Sequence, residues 1–371
     1  MTPNKPNPAV AADRHRLAFL DGLRGVAIFA VILFHSYVRW PDLVPFGHKF
    51  TQVPIFSFGW LGVQLFFLIS GFVIFMTLEK SQNFRDFISR RWLRLFPAML
   101  ICSVVIFASA PLFPERPLGA LVLRDMLPGL TFTEPTWWGF FLGSPQGVIE
   151  GAFWSLFVEV KFYVVAGLLY FFIGGKKMVI VLIGIFLSAA IISKFQRIFP
   201  ALDLRIPQLL MQISSAGQFG WFAAGALFYR YFHERKMALL LAAIVVALAS
   251  AAVAGGMRWQ QTIASLIVVI IFTAAVLTSS FQSVLSRPSL IFLGFISYPL
   301  YLIHENMMVS MIIKMGHATP WMPAILVPVA PIIVVIGAAS LVAKYAEPWV
   351  REKLRPIYLK LRLLTGVAST A

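Results

Sequence analysis

The sequence is poor in cysteine and in charged residues. Its 371 residues include one cysteine, Cys102, so an intrachain disulfide is excluded. Only 12% of the residues are charged and 59% are hydrophobic, whereas about 25% of a soluble domain is charged. The mean hydropathy is +0.83. These values predict an all-α fold, a polytopic integral membrane helix bundle.

Acidic residues are scarcer than basic ones, at 15 against 31, and the net charge is +16. No base-stacking module accompanies the positive charge, so nucleic acid is not an expected partner. A membrane protein instead collects Lys and Arg in its cytoplasmic loops. The expected partner of this surface is the lipid bilayer.

The N-terminal segment lacks the apolar core of a secretory signal peptide. Residues 1–16 are therefore predicted to form a disordered cytoplasmic tail. The transmembrane domain is expected over 17–346 and a basic cytoplasmic tail over 347–371.

Apolar runs long enough to cross a bilayer recur along the chain. About ten transmembrane helices are predicted, near residues 19–38, 58–78, 95–113, 152–173, 178–193, 209–229, 238–254, 261–279, 290–313 and 321–343. With the N-terminus inside, the inner segments hold 20 Lys and Arg and the outer segments 9. This asymmetry predicts that both termini are cytoplasmic.

The first predicted span, "FLDGLRGVAIFAVILFHS", contains Arg24 and His35. Eleven residues separate them, which is about three helical turns, so both side chains point to one face. Charged groups inside a bilayer cost several kcal/mol and usually mark function. The pair predicts one cavity that crosses much of the membrane, with Arg24 and His35 lining it at two different depths. The alternative is that Arg24 snorkels to the interface and His35 ends the span.

Several segments together carry a family resemblance. They are the Arg24–His35 spacing, "RRWLRLFP" from Arg90, "FWSLFVEVKFY" from Phe153, "ISYPLYLIH" from Ile296 and "YAEPW" from Tyr345. In this order they resemble the acyltransferase-3 family of integral membrane O-acyltransferases, which includes O-antigen and exopolysaccharide acetylases. Val160 and Lys161 follow Glu159 where the family often has Glu-Gln, which leaves the role of this position open.

The resemblance implies acyl-CoA as co-substrate, with acetyl-CoA expected first, and a bacterial inner (cytoplasmic) membrane location. Arg90, Arg91 and Arg94 are then the predicted cofactor-binding residues, because a guanidinium binds phosphate bidentately. Ordinary positive-inside charge or binding of anionic lipid headgroups is the alternative for this cluster. Histidines and carboxylates show no metal-ligand spacing, so no metal is predicted.

Three residues are candidates for the chemistry. His35 is assigned as the general base because the unperturbed pKa of histidine lies near neutral pH. Arg24 would hold the donor or orient the surroundings of the base. Glu159 would take a direct part or make a structural contact between helices, and the sequence does not decide between these. A covalent acyl-histidine remains an alternative to direct transfer.

The predicted substrate-binding residues lie on two helices. Ser155 shares a face with Glu159, and a polar stripe is spaced by four and three residues along the ninth span. The full set is Trp154, Ser155, Ser297, Tyr301 and His304.

The predicted function is transfer of an acyl group from cytoplasmic acyl-CoA to a hydroxyl of a carbohydrate or lipid-linked glycan at the outer face. The alternative is a transporter that exports a small organic acid or an acylated product through the same cavity. The identity of the acceptor, the acyl chain length and the oligomeric state, including a homo-oligomer, stay open.

Overall fold

The computed structural model of the chain describes residues 8–199, 205–254 and 258–364. In these ranges the chain forms α-helices joined by turns and short 3₁₀ segments, with no β-strand. Among the described residues, eight helical segments are long and apolar enough to cross a membrane. The prediction of an all-α polytopic membrane bundle is confirmed. Residues 1–7 and 365–371 of the predicted tails lie outside the described residues.

The helices follow in chain order. They are α1 Pro8–Tyr37, α2 Pro54–Ser57, α3 Gly62–Glu79, α4 Phe84–Ser109, α5 Met126–Thr131, α6 Pro135–Leu142, α7 Trp154–Ile173, α8 Gly175–Ile198, α9 Arg205–Ile213, α10 Phe219–Glu234, α11 Met237–Ala254, α12 Trp259–Leu277, α13 Ser279–Leu285, α14 Pro288–Ile303, α15 Asn306–Ala318, α16 Val329–Leu341 and α17 Glu347–Leu364. A π-helical turn, Val342–Ala346, joins α16 to α17.

Two predicted spans are interrupted. The span predicted at 209–229 is divided between α9 and α10, because Ser215 adopts a left-handed backbone with φ of 56° that no α-helix contains. The span predicted at 290–313 is divided at His304 and Glu305. Glu305 has a ψ of −74°, outside the regular helical value. The backbone N–H of Asn306 donates to the carboxylate of Glu150, outside the helix.

Helix extends into both predicted tails. Helix α1 begins at Pro8, within the segment assigned to a disordered tail, because proline is favoured in the first turn and Ala-rich sequence follows it. At the other end α17 continues from the π-helical turn. An ion pair between Glu347 and Arg351, four residues apart, supports its first turns.

Glycines let the central helices approach closely. A Cβ atom at Gly25 would stand 2.2 Å from the carbonyl oxygen of Leu290, and one at Gly294 would stand 1.9 Å from that of Asp21. Helices α1 and α14 therefore pack backbone to backbone, as small residues allow in membranes. Gly71 and Gly225 do the same between α3 and α10. This packing holds the face of α1 that carries Arg24 and His35 against α14.

Candidate active site

A partly open cavity lies among α1, α3, α4, α7 and α14. Helix α1 supplies Arg24, α4 supplies Arg91 and Arg94, and α7 supplies Ser155 and Glu159. The remaining polar lining side chains are Ser70, Tyr163, Ser297, Tyr298 and Tyr301. Phenylalanine and aliphatic side chains fill the gaps between them. The cavity is therefore an apolar slot with polar groups at defined points, as is typical of ligand sites.

One part of the cavity is strongly cationic. Arg24 donates to Asp21 over 2.5 Å, and Arg91 donates to the hydroxyl of Thr77. The Nε of Arg91 is buried without a hydrogen-bond partner, and Arg94 makes no ion pair within the described ranges. Three guanidinium groups thus line one cavity with incomplete neutralisation, which favours an anionic ligand.

Arg90 is placed differently from its neighbours. Its Nε donates to Asp86 over 3.0 Å, and its side chain is absent from the cavity lining. Asp86 is buried and also accepts the backbone N–H of Gln82. Of the three predicted cofactor-binding arginines, the structure brings Arg91 and Arg94 together with Arg24 and leaves Arg90 outside the cavity.

Glu159 lies within the cavity. One oxygen accepts hydrogen bonds from the hydroxyls of Ser70, at 2.5 Å, and Tyr163, at 2.6 Å. Neither partner was a candidate in the sequence. No local pattern links Ser70 of α3 to α7, whereas Tyr163 lies four residues after Glu159 on α7, a spacing that could have found it. These two bonds fix the carboxylate opposite the arginines and away from His35.

Tyr301 and Ser155 form the polar end of the cavity. The Tyr301 hydroxyl donates to the carbonyl of Ala152 over 2.8 Å and lies 2.7 Å from Ser155 Oγ, from which it therefore accepts. Ser297 also lines the cavity and donates to the carbonyl of Gly294. Ser155, Ser297 and Tyr301 are thus brought together on the two helices from which they were predicted.

Trp154 points away from this cavity. It lines a second cavity on the other side of α7, with Glu134, Gln212 and Gln218. Lys161 also turns to this side, where its amine donates to Glu134 over 2.5 Å. The departure from the family pattern at Lys161 therefore lies outside the arginine-lined cavity.

His35 lies beyond the Tyr301 end of the cavity and is absent from its lining. His304 follows Tyr301 by one turn at the end of α14 and lies between Tyr301 and His35. Its Nε2 is 3.2 Å from Nδ1 of His35, and the two rings meet edge to face at 4.6 Å. His304 is fully buried, whereas the His35 side chain retains 12% exposure. The predicted base is therefore joined to the cavity through His304.

Four further polar residues surround this histidine pair and were missed in the sequence. They are Arg116, Glu150, Glu305 and Asn306, all buried. Glu305 follows His304 within the predicted ninth span, so a scan for carboxylates inside apolar runs would have found it. Glu150 and Arg116 belong to the segment between α4 and α7, and no sequence signal places them here.

Among the described residues, no group of three or more His, Cys, Asp or Glu side chains is placed to hold a metal ion. Glu305 accepts the backbone N–H of Ala152 instead, and Glu150 accepts the side-chain amide of Asn306.

Known proteins resemble much of this chain. The profile of the acyltransferase-3 family, described as an acyltransferase domain, matches residues 17–343. The O-acetyl transferase of Shigella phage Sf6 is 25% identical over 188 residues, which cover 48% of this chain and 54% of the relative. The peptidoglycan O-acetyltransferase OatA of Listeria monocytogenes is 29% identical over 167 residues, covering 41% of this chain and 24% of the relative.

YrhL of Bacillus subtilis is 33% identical over 162 residues, which cover 39% of this chain and 22% of that protein. The aligned region thus spans between about a fifth and about a half of the length of these relatives. No solved structure gives a significant match. The family match covers the helices that build the cavity and the histidine pair, and the chain belongs to the acyltransferase-3 family.

Proposed function

We propose that the protein is a membrane O-acyltransferase. It transfers an acyl group, with acetyl as the first expectation, from acyl-CoA to a hydroxyl of a carbohydrate or glycoconjugate at the outer face of a bacterial inner membrane. One observation carries the proposal: a cavity lined by Arg24, Arg91 and Arg94 extends to Tyr301, and His304 connects that end to His35.

The cationic part of the cavity suits the diphosphate of acyl-CoA. Arg91 has a buried Nε without a partner, and Arg94 has no carboxylate neighbour within hydrogen-bonding distance in the part of the chain described. Phosphate oxygens would accept a hydrogen bond from the Nε of Arg91 and form an ion pair with Arg94. The pantetheine arm would then follow the apolar slot towards Tyr301.

His35 acts as the general base in this proposal. As the acceptor oxygen attacks the thioester carbonyl, its O–H bond breaks and the proton passes to His35. A C–O bond forms, the C–S bond breaks, and the leaving thiolate recovers the proton from the imidazolium. Atoms and charge balance without a further reactant. Transfer through an acyl-imidazole on His35 would use the same nitrogen in two steps.

A carbohydrate acceptor is supported by the relatives. OatA is named as a peptidoglycan O-acetyltransferase, which indicates a glycan acceptor for that protein. In this chain the excess of Lys and Arg in the predicted inner segments supports an orientation with the arginines towards the cytoplasm and His35 towards the outer face. Acyl-CoA is cytoplasmic, so this orientation gives each substrate its own side.

The test uses membranes that contain the full chain and acetyl-CoA labelled in the acetyl group. Label in base-releasable carbohydrate ester is expected with the wild type and absent with His35→Ala. His48→Ala is the matched control, because the His48 side chain is exposed, lies outside the cavity lining and pairs with Asp42. Rapid acid quench and mass spectrometry of His35 distinguish a covalent acyl-imidazole from direct transfer.

Equal incorporation by the wild type and His35→Ala would remove His35 as the base. No incorporation by the wild type, together with no binding of coenzyme A, would overturn the enzyme proposal. Export of an organic acid through the same cavity would then be the better account.

A further inference from the structure

A buried acidic cluster lies beside His35 at the break between α14 and α15, and the proposed reaction has not used it. Glu305 is 2% exposed and Glu150 is fully buried. An Oε1 atom of Glu305 is 3.7 Å from Nε2 of His35. Carboxylates buried in a membrane protein are costly and call for a specific role.

The hydrogen-bond partners assign the tautomer of His35. Its Nδ1 is 2.9 Å from the carbonyl of Val31, which can only accept, so Nδ1 carries the proton. His304 agrees, because its own Nδ1 lies 2.8 Å from the carbonyl of Tyr301 and leaves Nε2 as an acceptor towards His35. The lone pair of His35 is therefore on Nε2, the nitrogen that faces Glu305.

The backbone holds Glu305 in this position. Its Oε2 accepts the N–H of Ala152 over 2.6 Å. Gly151 leaves the room for it, since a Cβ atom there would stand 2.8 Å from the same oxygen. The carboxylate is thus fixed by α14, α15 and the start of α7 rather than by a flexible partner.

Glu150 sets the charge of the cluster. Its Oε2 accepts the backbone N–H of Asn306 over 2.9 Å and the side-chain amide over 2.6 Å, while Oε1 is buried without a hydrogen-bond partner. Burial, and then the neighbouring charge of Glu305, raise the pKa of Glu150 to about 8. At neutral pH Glu150 is mostly protonated, so it adds little negative charge to the cluster.

We propose that Glu305 is the charge partner of His35 and stabilises the imidazolium that forms when Nε2 accepts the proton of the acceptor hydroxyl. Glu305 is a positioning residue in this assignment, because it acts through His35. This inference rests on the proposed acyl transfer for its role in the reaction. The partnership itself is a property of the protein without substrate.

Other groups also face the pair. Arg39, at the end of α1, and His304 lie within electrostatic range of His35. Glu150, Tyr301 and His304 face Glu305, and Arg116 lies near Glu150. These groups keep their identity in the variants below, and Glu305→Gln also removes a charge that helps to raise the pKa of Glu150.

The experiment compares Glu305→Gln and Glu305→Asp with the wild type and with Glu115→Gln. Glu115 lies in a loop and contacts Ser310 and Lys314, so its variant controls for loss of a carboxylate on the same side of the bundle. Glu305→Gln is expected to lower kcat about 100-fold or more, with KM for acetyl-CoA changed less than about 3-fold. Glu305→Asp should recover part of the loss.

A second readout needs no acyl transfer. Diethyl pyrocarbonate modifies only the unprotonated imidazole, and its rate at His35 is followed by mass spectrometry across pH 4 to 9. Loss of the Glu305 charge is expected to move the midpoint about one pH unit lower. Gly151→Ala, which displaces Glu305 while retaining its charge, should move it in the same direction by a smaller amount.

Identical modification midpoints in the wild type, Glu305→Gln and Gly151→Ala would overturn the partnership, whether or not the enzyme turns over. A shifted midpoint in a protein that transfers no acyl group would retain the partnership and reject the proposed function. A loss of kcat in Glu305→Gln with an unshifted midpoint would reduce Glu305 to a structural residue.

Discussion

The two ends of the site differ in charge and in how that charge is held. At the cavity, Arg91 and Arg94 have incomplete partners, and Arg94 is exposed. Around His35, Glu150 and Glu305 are buried, and their oxygens accept hydrogen bonds from Asn306 and Ala152. A cationic region with unused donors suits a ligand that brings its own negative charge. A closed acidic region suits a proton that appears during the reaction.

The strongest way to separate the two ends is to remove the histidine. His35→Gln is expected to lower acyl transfer by about 10³-fold, because general-base catalysis contributes about 10²–10⁴-fold. Binding of coenzyme A by the purified protein should change less than about 2-fold. Kinetics of acyl transfer and isothermal titration with coenzyme A measure the two effects. A comparable loss of acyl transfer and of coenzyme A binding would show that the two ends of the site are not independent.

The cationic end is tested by comparing adjacent arginines. Arg91→Gln and Arg94→Gln should each weaken coenzyme A binding about 10- to 100-fold, since a charge-assisted hydrogen bond contributes about 1.5–3 kcal/mol. Arg90→Gln is the matched control and should change it less than about 3-fold, because Arg90 binds Asp86 outside the cavity. Equal losses in all three variants would contradict the placement of the ligand.

The acidic end predicts a pH dependence of stability. The folded-state pKa of Glu150, about 8, lies above its ordinary value of 4.5. Its contribution to stability is thus fully present below pH 4.5 and is lost as pH rises through 8. The Tm in detergent should fall by about 2 °C between pH 7 and 9, and Glu150→Gln should reduce that fall. Tryptophan fluorescence during heating measures the Tm. The same dependence of Tm on pH in the wild type and in Glu150→Gln would show that Glu150 does not titrate between pH 7 and 9.

The smallest effect is expected away from both ends. Lys161→Ala removes an amine that donates to Glu134, to Ser215 and to the carbonyl of Ile213. A partly buried pair of this kind should contribute about 1 kcal/mol to the free energy of unfolding. Acyl transfer should change less than about 2-fold, which kinetics on membranes can check. A large kinetic loss would bring the second cavity, on the Trp154 side, into the reaction.

Local pattern predicted most of the helices but not their breaks. The apolar runs predicted the membrane-length helices because burial in lipid requires continuous apolar sequence and internal hydrogen bonds. The interruptions at Ser215 and at Glu305 depend on contacts with residues that are distant in the sequence. One such contact is the hydrogen bond from the backbone N–H of Asn306 to the Glu150 side chain. No local pattern contains those partners, so both regions are predicted as unbroken.

The same limit applies to the candidate site. Helical spacing predicted that Arg24 and His35 share a face of α1, and both do turn towards α14 and the site. Spacing did not show that Arg90 turns to Asp86 while Arg91 turns into the cavity. The two residues are adjacent on α4, and either could face the cavity if α4 were rotated about its axis. Ser70 and Glu305 were missed because each acts through a partner on another helix, whereas Tyr163 bonds Glu159 of its own helix and was not singled out.

Composition and the length of the apolar runs alone determined that this protein is a helical membrane bundle, since few other backbone structures can satisfy their hydrogen bonds within lipid. The family motifs in the sequence indicated the acyltransferase-3 family, and the profile match confirmed it. Only the tertiary structure decided which charges meet: the arginines of α1 and α4 in one cavity, and the buried carboxylate of Glu305 at His35. Electrostatic energy depends on distance and burial in space, and sequence separation specifies neither.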